Sequence, residues 1–167
     1  YCLDFLSLFS VGEGLLVGSS ADAMFLVHSE TVPSTFVPTR PFRVNAGSPH
    51  AYVMMADGNT RYMAELTAGD ELLAVDQEGN GRSVVLGRLK IEQRPMLKIV
   101  GKKHTKTHQN ANTCHVFMQQ AETVRLITGD STAVSVTALE KGQPVLGWEG
   151  HAARHVGRPV KGGVEER

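Results

Sequence analysis

The chain has 167 residues, enough for one ordinary domain or two small ones. Its 17 Lys and Arg balance 17 Asp and Glu, and a zero net charge argues against a dedicated nucleic-acid binder. With 41% hydrophobic and 20% charged residues it is not a disordered chain, and no apolar run approaches the ~20 residues of a membrane-spanning helix. Two cysteines, Cys2 and Cys114, cannot build a disulfide framework, so a reducing compartment is the expectation.

The opening run Tyr1 to Phe9 begins without Met, has no basic leader and carries Asp4. It reads as a strand from within a longer protein rather than as a signal peptide. The glycines of Gly12-Glu13-Gly14 are followed by Leu15-Leu16-Val17, which is strand-like. A phosphate-binding glycine loop should open a helix, so these glycines instead let strands approach closely. Ala23 to Val27 is an apolar, buried strand. Asp57-Gly58 and Glu78-Gly79-Asn80-Gly81 are hairpin turns. Between Val84 and Glu92 the alternation places Val85, Leu89 and Ile91 on one face and Arg88, Lys90 and Glu92 on the other. Val124 and Leu126 alternate with Thr123 and Arg125, and Val134 and Val136 with Ser135 and Thr137. No window sustains a helical apolar stripe. The fold class expected is mainly β, with two tandem small barrel or sandwich modules and little helix.

The tandem arrangement rests on an internal repeat. A shift of 73 residues places Asp57 on Asp130, Leu66 on Leu139, Gly69 on Gly142 and Leu73 on Leu146. It also matches Val53 with Leu126, Met63 with Val136 and Leu72 with Val145. The expected organisation is a β segment over 1–49 that carries a polar cluster and continues from a missing N-terminal half. A first β module over 50–118 and a repeat-related second over 119–167 follow. Charge is uneven: 88–106 holds seven basic residues and one acid, and 57–78 holds six acids and one base.

The densest polar cluster is His28-Ser29-Glu30 with Arg40, Arg43, Asn45 and His50. On a strand His28 and Glu30 share a face, where a carboxylate can orient an imidazole for proton transfer. Arg43 and Asn45 also share a face, and a guanidinium with an amide suits a substrate carboxylate. Pro41 breaks the regularity that would turn Arg40 away, so Arg40 can join Arg43. His104, His108, Cys114 and His115 have metal-ligand types, but their polar surroundings make a poor helix and no metal site is expected.

Several long motifs in one order resemble a known family. They are Gly-Glu-Gly-Leu-Leu-Val-Gly-Ser-Ser (12–20), Phe-Leu-Val-His-Ser-Glu (25–30) and Arg-Pro-Phe-Arg-Val-Asn-Ala-Gly (40–47) with His-Ala-Tyr (50–52). The likeness continues through 61–76, 85–96, 120–126, 134–142 and 153–157, and departs at 102–113 and in the tail 161–164. Together they resemble the C-terminal half of archaeal-type 3-dehydroquinate synthase, 3-dehydroquinate synthase II. That resemblance implies an enzyme using NAD to deaminate 2-amino-3,7-dideoxy-D-threo-hept-6-ulosonate oxidatively and close it to 3-dehydroquinate, in aromatic amino acid biosynthesis. It implies a cytoplasmic protein, or a plastid one in an alga or plant. Its partner is the small amino-keto acid, with no nucleic acid and no membrane, and self-association stays open.

The residues available for that chemistry are His28 and Glu30 as acid–base pair, and Arg40 and Arg43 as carboxylate clamp. Ser29, Asn45 and His50 would position substrate, and Arg88, Lys90 and Arg94 would meet cofactor phosphates. Alone, this half is expected to be inactive. The competing readings are a non-catalytic tandem β-barrel binding module and an accessory half of the enzyme.

Overall fold

The computed structural model describes residues 1–103, 113–150, 154–155 and 158–159. It is mainly β, as the turn spacing and alternation predict, and its regular helix among the described residues is one 3-10 turn, Met63–Glu65. Among the described residues no helix is long and apolar enough to cross a membrane.

Eleven strands form one curled sheet. Its centre is the hairpin of β2 (Gly14–Ser20) and β3 (Ala23–His28). Leu16 pairs with Leu26, flanked by Leu15 with Val27 and Val17 with Phe25. A two-fold axis through the Leu16–Leu26 pair therefore exchanges β2 with β3. The 73-residue repeat obeys the same exchange. In the first copy, β5 (Tyr52–Met54) and β6 (Thr60–Tyr62) pair, and β7 (Glu71–Val75) follows. In the second, β11 (Arg125–Ile127) and β12 (Ala133–Ser135) pair, and β13 (Gly147–Glu149) follows. Val53 pairs with Val17 of β2, and Leu126 with Val27 of β3. Ala74 pairs with Leu15, and Gly147 with Phe25. Met55 bridges Leu72, and Thr128 bridges Val145. The Leu-x-x-Gly turns end on Gly69 and Gly142, both at positive φ, 98° and 89°, where a side chain is strained. The repeat is thus kept residue for residue, with both copies seated on one shared hairpin.

Alternate residues of that hairpin serve two apolar layers. Leu15, Val17, Phe25 and Val27 enter the main core with Leu3, Leu72, Leu86 and Leu126. Leu16, Met24 and Leu26 face the other way with Met54 and Ile127. Close approach within the hairpin needs a glycine at 14, where a Cβ would lie 1.9 Å from the Val27 carbonyl oxygen.

The first copy runs on through a hairpin turn into β8 (Gly81–Lys90), which pairs with β7 and then with β1 (Cys2–Phe5). β4 (Arg43–Asn45) covers the other edge of β1. The alternation expected for Val84 to Glu92 is broken here. Val84 and Leu86 are buried, Val85 is not, and Ile91 is exposed. The register slips between Asp4 and Phe5, so β8 changes the face it offers the core partway along. β11 also departs from simple alternation, because Arg125 is buried beside Leu126 and donates to the carbonyls of Val32 and Pro33. β9 (Met96–Lys102) and β10 (Thr113–Gln119) form a separate hairpin whose Val116 and Met118 join the main core. β14 (Arg154–His155) and β15 (Arg158–Pro159) pair with each other.

Candidate functional site

The strand order β8–β1–β4 brings together residues far apart in sequence. Asp4 lies between Arg43 on β4 and Arg88 on β8, and two residues back Cys2 lies between Asn45 and Lys90. Residues two apart share a face, so these two cross-strand rows make one polar floor. Above it opens a cavity of about 340 Å³. Its lining includes Cys2, Arg43, Asn45 and Lys90 from the floor, and Glu30 and Arg40 from the segment joining β3 to β4. Glu92, Arg94, Gln119 and Glu122 complete its polar walls.

Glu30 and Arg40 are joined as a backbone bridge, with the Arg40 N–H donating to the Glu30 carbonyl at 2.8 Å. Arg40 Nη1 also donates to Glu30 Oε2 at 3.2 Å. The bridge pinches the loop 31–39 shut and turns both side chains into the cavity. Arg40 keeps about a third of its side chain exposed, at 34%. Arg43 donates from Nε and Nη2 to the two oxygens of Asp4, at 2.6 and 2.9 Å. That bidentate pair holds the guanidinium above its ordinary pKa. Burial opposes ionisation of Asp4, but the hydrogen bonds from Arg43 and Arg88 outweigh it and hold the carboxyl below its usual range. Asn45 donates from Nδ2 to Gln119 Oε1 at 2.6 Å, which orients both amides at the cavity wall. Glu92 is fixed between Lys90 and Arg94, whose hydrogen bonds lower it to about 2. Burial raises the Cys2 thiol to about 11, so it stays protonated and is no nucleophile at neutral pH.

The structure gathers Glu30, Arg40, Arg43, Asn45, Lys90 and Arg94 in this cavity. It places the other candidates elsewhere. His28 is 1% exposed, and its Nε2 accepts a hydrogen bond from the Gly12 N–H at 2.9 Å. Burial lowers it to about 4, so it is a neutral ring bracing the turn before β2. The expected His28–Glu30 pair does not form, because the strand ends at His28 and Glu30 turns to Arg40. Ser29 is fully buried and contacts Thr31 Oγ1 at 3.3 Å. His50 lies beside Ser19 and Phe117. Arg88 is spent on Asp4. His104 and His108 lie outside the described residues, among which no metal-binding group of His, Cys, Asp and Glu gathers. Gln119 and Glu122, which the sequence reading missed, reach the cavity from β10 and the turn after it. Their signal was the amide and acid bracketing Gln120-Ala121, directly after a strand.

A sequence model of the 3-dehydroquinate synthase II C-terminal domain matches residues 1–167. The chain belongs to the 3-dehydroquinate synthase II family. It is 44% identical over 166 residues to a 3-dehydroquinate synthase of Methanosphaera stadtmanae, covering 99% of this chain and 45% of that protein. It is 46% identical over 165 residues to a 3-dehydroquinate synthase homolog of Persephonella marina, covering 99% and 48%. With a 3-dehydroquinate synthase of Methanocaldococcus jannaschii the identity is 43% over 166 residues, covering 99% and 44%. The chain therefore spans about half the length of the curated relatives it matches. No solved structure matches it. Among its described residues no α-helix aims an N-terminus at a pyrophosphate, and Arg88, Lys90 and Arg94 already hold carboxylates. These residues do not fit a dinucleotide site.

Proposed function

We propose that this chain is the substrate-binding half of a 3-dehydroquinate synthase. In this reading the whole enzyme, with NAD, converts 2-amino-3,7-dideoxy-D-threo-hept-6-ulosonate to 3-dehydroquinate for aromatic amino acid biosynthesis. Ammonia is released and the ring closes by aldol addition. The same reading places it in the cytoplasm, or in the plastid of an algal or plant host.

The observation that carries it is the cavity's mixed charge. Four cationic side chains, Arg40, Arg43, Lys90 and Arg94, face three acids, Glu30, Glu92 and Glu122. A phosphate site would be a run of unpaired cations. A small polyhydroxy acid needs one guanidinium with spare donors and several amides and carboxylates for its hydroxyls. Arg40 supplies the first, since a single bond at 3.2 Å to Glu30 leaves most of its five donors free. Arg43 retains Nη1. The Asn45 Oδ1 and the Gln119 amide hydrogens are free for substrate hydroxyl and carbonyl groups. Glu30 is the member of the expected acid–base pair that stands at the cavity, and in this reading it takes the proton for ring closure.

The test is calorimetric titration of the chain with the amino-heptulosonate. Binding is expected, and Arg40→Ala should weaken it about tenfold, the worth of one charge-assisted hydrogen bond. Unchanged affinity in that variant removes the clamp. In a polypeptide joining this chain to the rest of the length found in its relatives, NADH and ammonia should appear in equal amounts.

A further inference from the structure

Every acid at the cavity but one is already neutralised. Glu30 holds Arg40, Glu92 holds Lys90 and Arg94, and Asp4 beneath the floor holds Arg43 and Arg88. The exception is Glu122, on the turn between β10 and β11. Its Oε1 is buried without a hydrogen-bond partner, and among the described residues no cation pairs with it. Glu122 itself is only partly buried and lines the cavity, so it is the acid there left to meet a cation that a ligand brings. The turn itself is well made, with the Val124 N–H donating to the Ala121 carbonyl at 3.2 Å, and Val124 is buried in the main core. The carboxylate is therefore presented by a backbone anchored on both sides.

We propose that Glu122 is the ammonium-binding residue of the cavity, and that with Arg40 it makes the site select an α-amino acid over the same molecule without its amine. This rests on the reading of the cavity as the substrate site and adds a residue and a selectivity to it. The ligand class is a zwitterion, with carboxylate on the guanidinium side and ammonium donating to Glu122. Such an arrangement has a consequence for turnover. Loss of the amine as ammonia removes the donor that Glu122 needs, so the ring-closed product is held less well than the substrate, while Arg40 still holds the carboxylate of the keto intermediate until the ring closes.

The experiment compares two ligands on the full chain at pH 7 by calorimetry. One is the amino-heptulosonate, and the other its 2-hydroxy analogue, in which a neutral hydroxyl replaces the ammonium. Wild type should bind the amine about tenfold more tightly or better, since a charge-assisted hydrogen bond between ions is at stake. In Glu122→Gln the amine should lose that advantage while the hydroxy analogue stays within about twofold, so that the two changes are coupled. If Glu122→Gln weakens both ligands equally, or neither, Glu122 is not the ammonium partner, and the carboxylate clamp still stands. If wild type binds both ligands equally, the ammonium selectivity is refuted without any variant, which covers a variant that fails to fold. If wild type binds neither ligand, this proposal and the substrate-site reading fall together.

Discussion

The two copies of the repeat begin alike and end differently. Both pair a short hairpin with one strand of β2–β3, turn on a glycine at positive φ, and return a third strand to the central hairpin. The first copy sinks deeper. Its Leu66 and Leu72 are buried at 5% and 0% exposure, where Leu139 and Val145 of the second copy only flank the core. The first also runs on into β8, which crosses to β1 and lays Lys90 and Arg88 beside Cys2 and Asp4. The cavity is built on that extension. The repeat supplies the scaffold, and the departure from the repeat supplies the site.

Breaking the joint between β8, β1 and β4 should have the largest effect. Asp4→Asn leaves Arg43, only 8% exposed, without its counter-charge, and should cost about 4 kcal/mol in urea unfolding. The unequal depth of the copies comes next. Leu72→Ala should cost about 3 kcal/mol, and its repeat mate Val145→Ala about 1 kcal/mol. Equal costs would mean that the two copies are packed alike.

A third difference lies on the central hairpin. The exchange that puts β2 on β3 places Gly18 on His28, so only the strand bearing the second copy carries a buried titratable group there. Its folded pKa, about 4, lies below its ordinary 6.5. As pH falls, the unfolded chain takes up the proton first. Stability should therefore be full above pH 6.5 and fall by about 2–3 kcal/mol as pH drops toward 4, following linkage. His28→Gln should flatten that limb in urea unfolding measured across this range. The smallest effect should also be the most symmetric. Gly69→Ala and Gly142→Ala each force a side chain into positive φ and should each cost about 1 kcal/mol.

The sequence made the repeat legible because both copies keep the same turn chemistry and apolar spacing, down to Asp57 and Asp130. It also made Arg40, Arg43 and Asn45 legible as one group, since they lie within six residues on a short strand and its approach. His28 was misplaced for a physical reason. A strand buried on both faces has no solvent side, so alternation cannot say whether a polar ring faces a site or a backbone N–H. The slip in β8 was hidden because a bulge leaves no mark in local composition. Lys90 joins the cavity only by pairing with Cys2, near the start of the chain, and Gln119 and Glu122 only because the β9–β10 hairpin sets Gln119 against Asn45, contacts that no local pattern encodes.

On the proposed reading, the cavity over β4–β1–β8 binds a small hydroxy acid. A second cavity, of about 480 Å³, lies on the pseudo-two-fold axis and is lined by Leu16, Leu26, Leu73, Leu146 and Trp148. It provides an internal control. Backbone amide spectra of the isotope-labelled chain, titrated with 3-dehydroquinate, should shift at Asn45, Lys90, Gln119 and Glu122 and stay still at Leu73, Leu146 and Trp148. Shifts centred on the axis, or no shifts at millimolar ligand, would contradict the account.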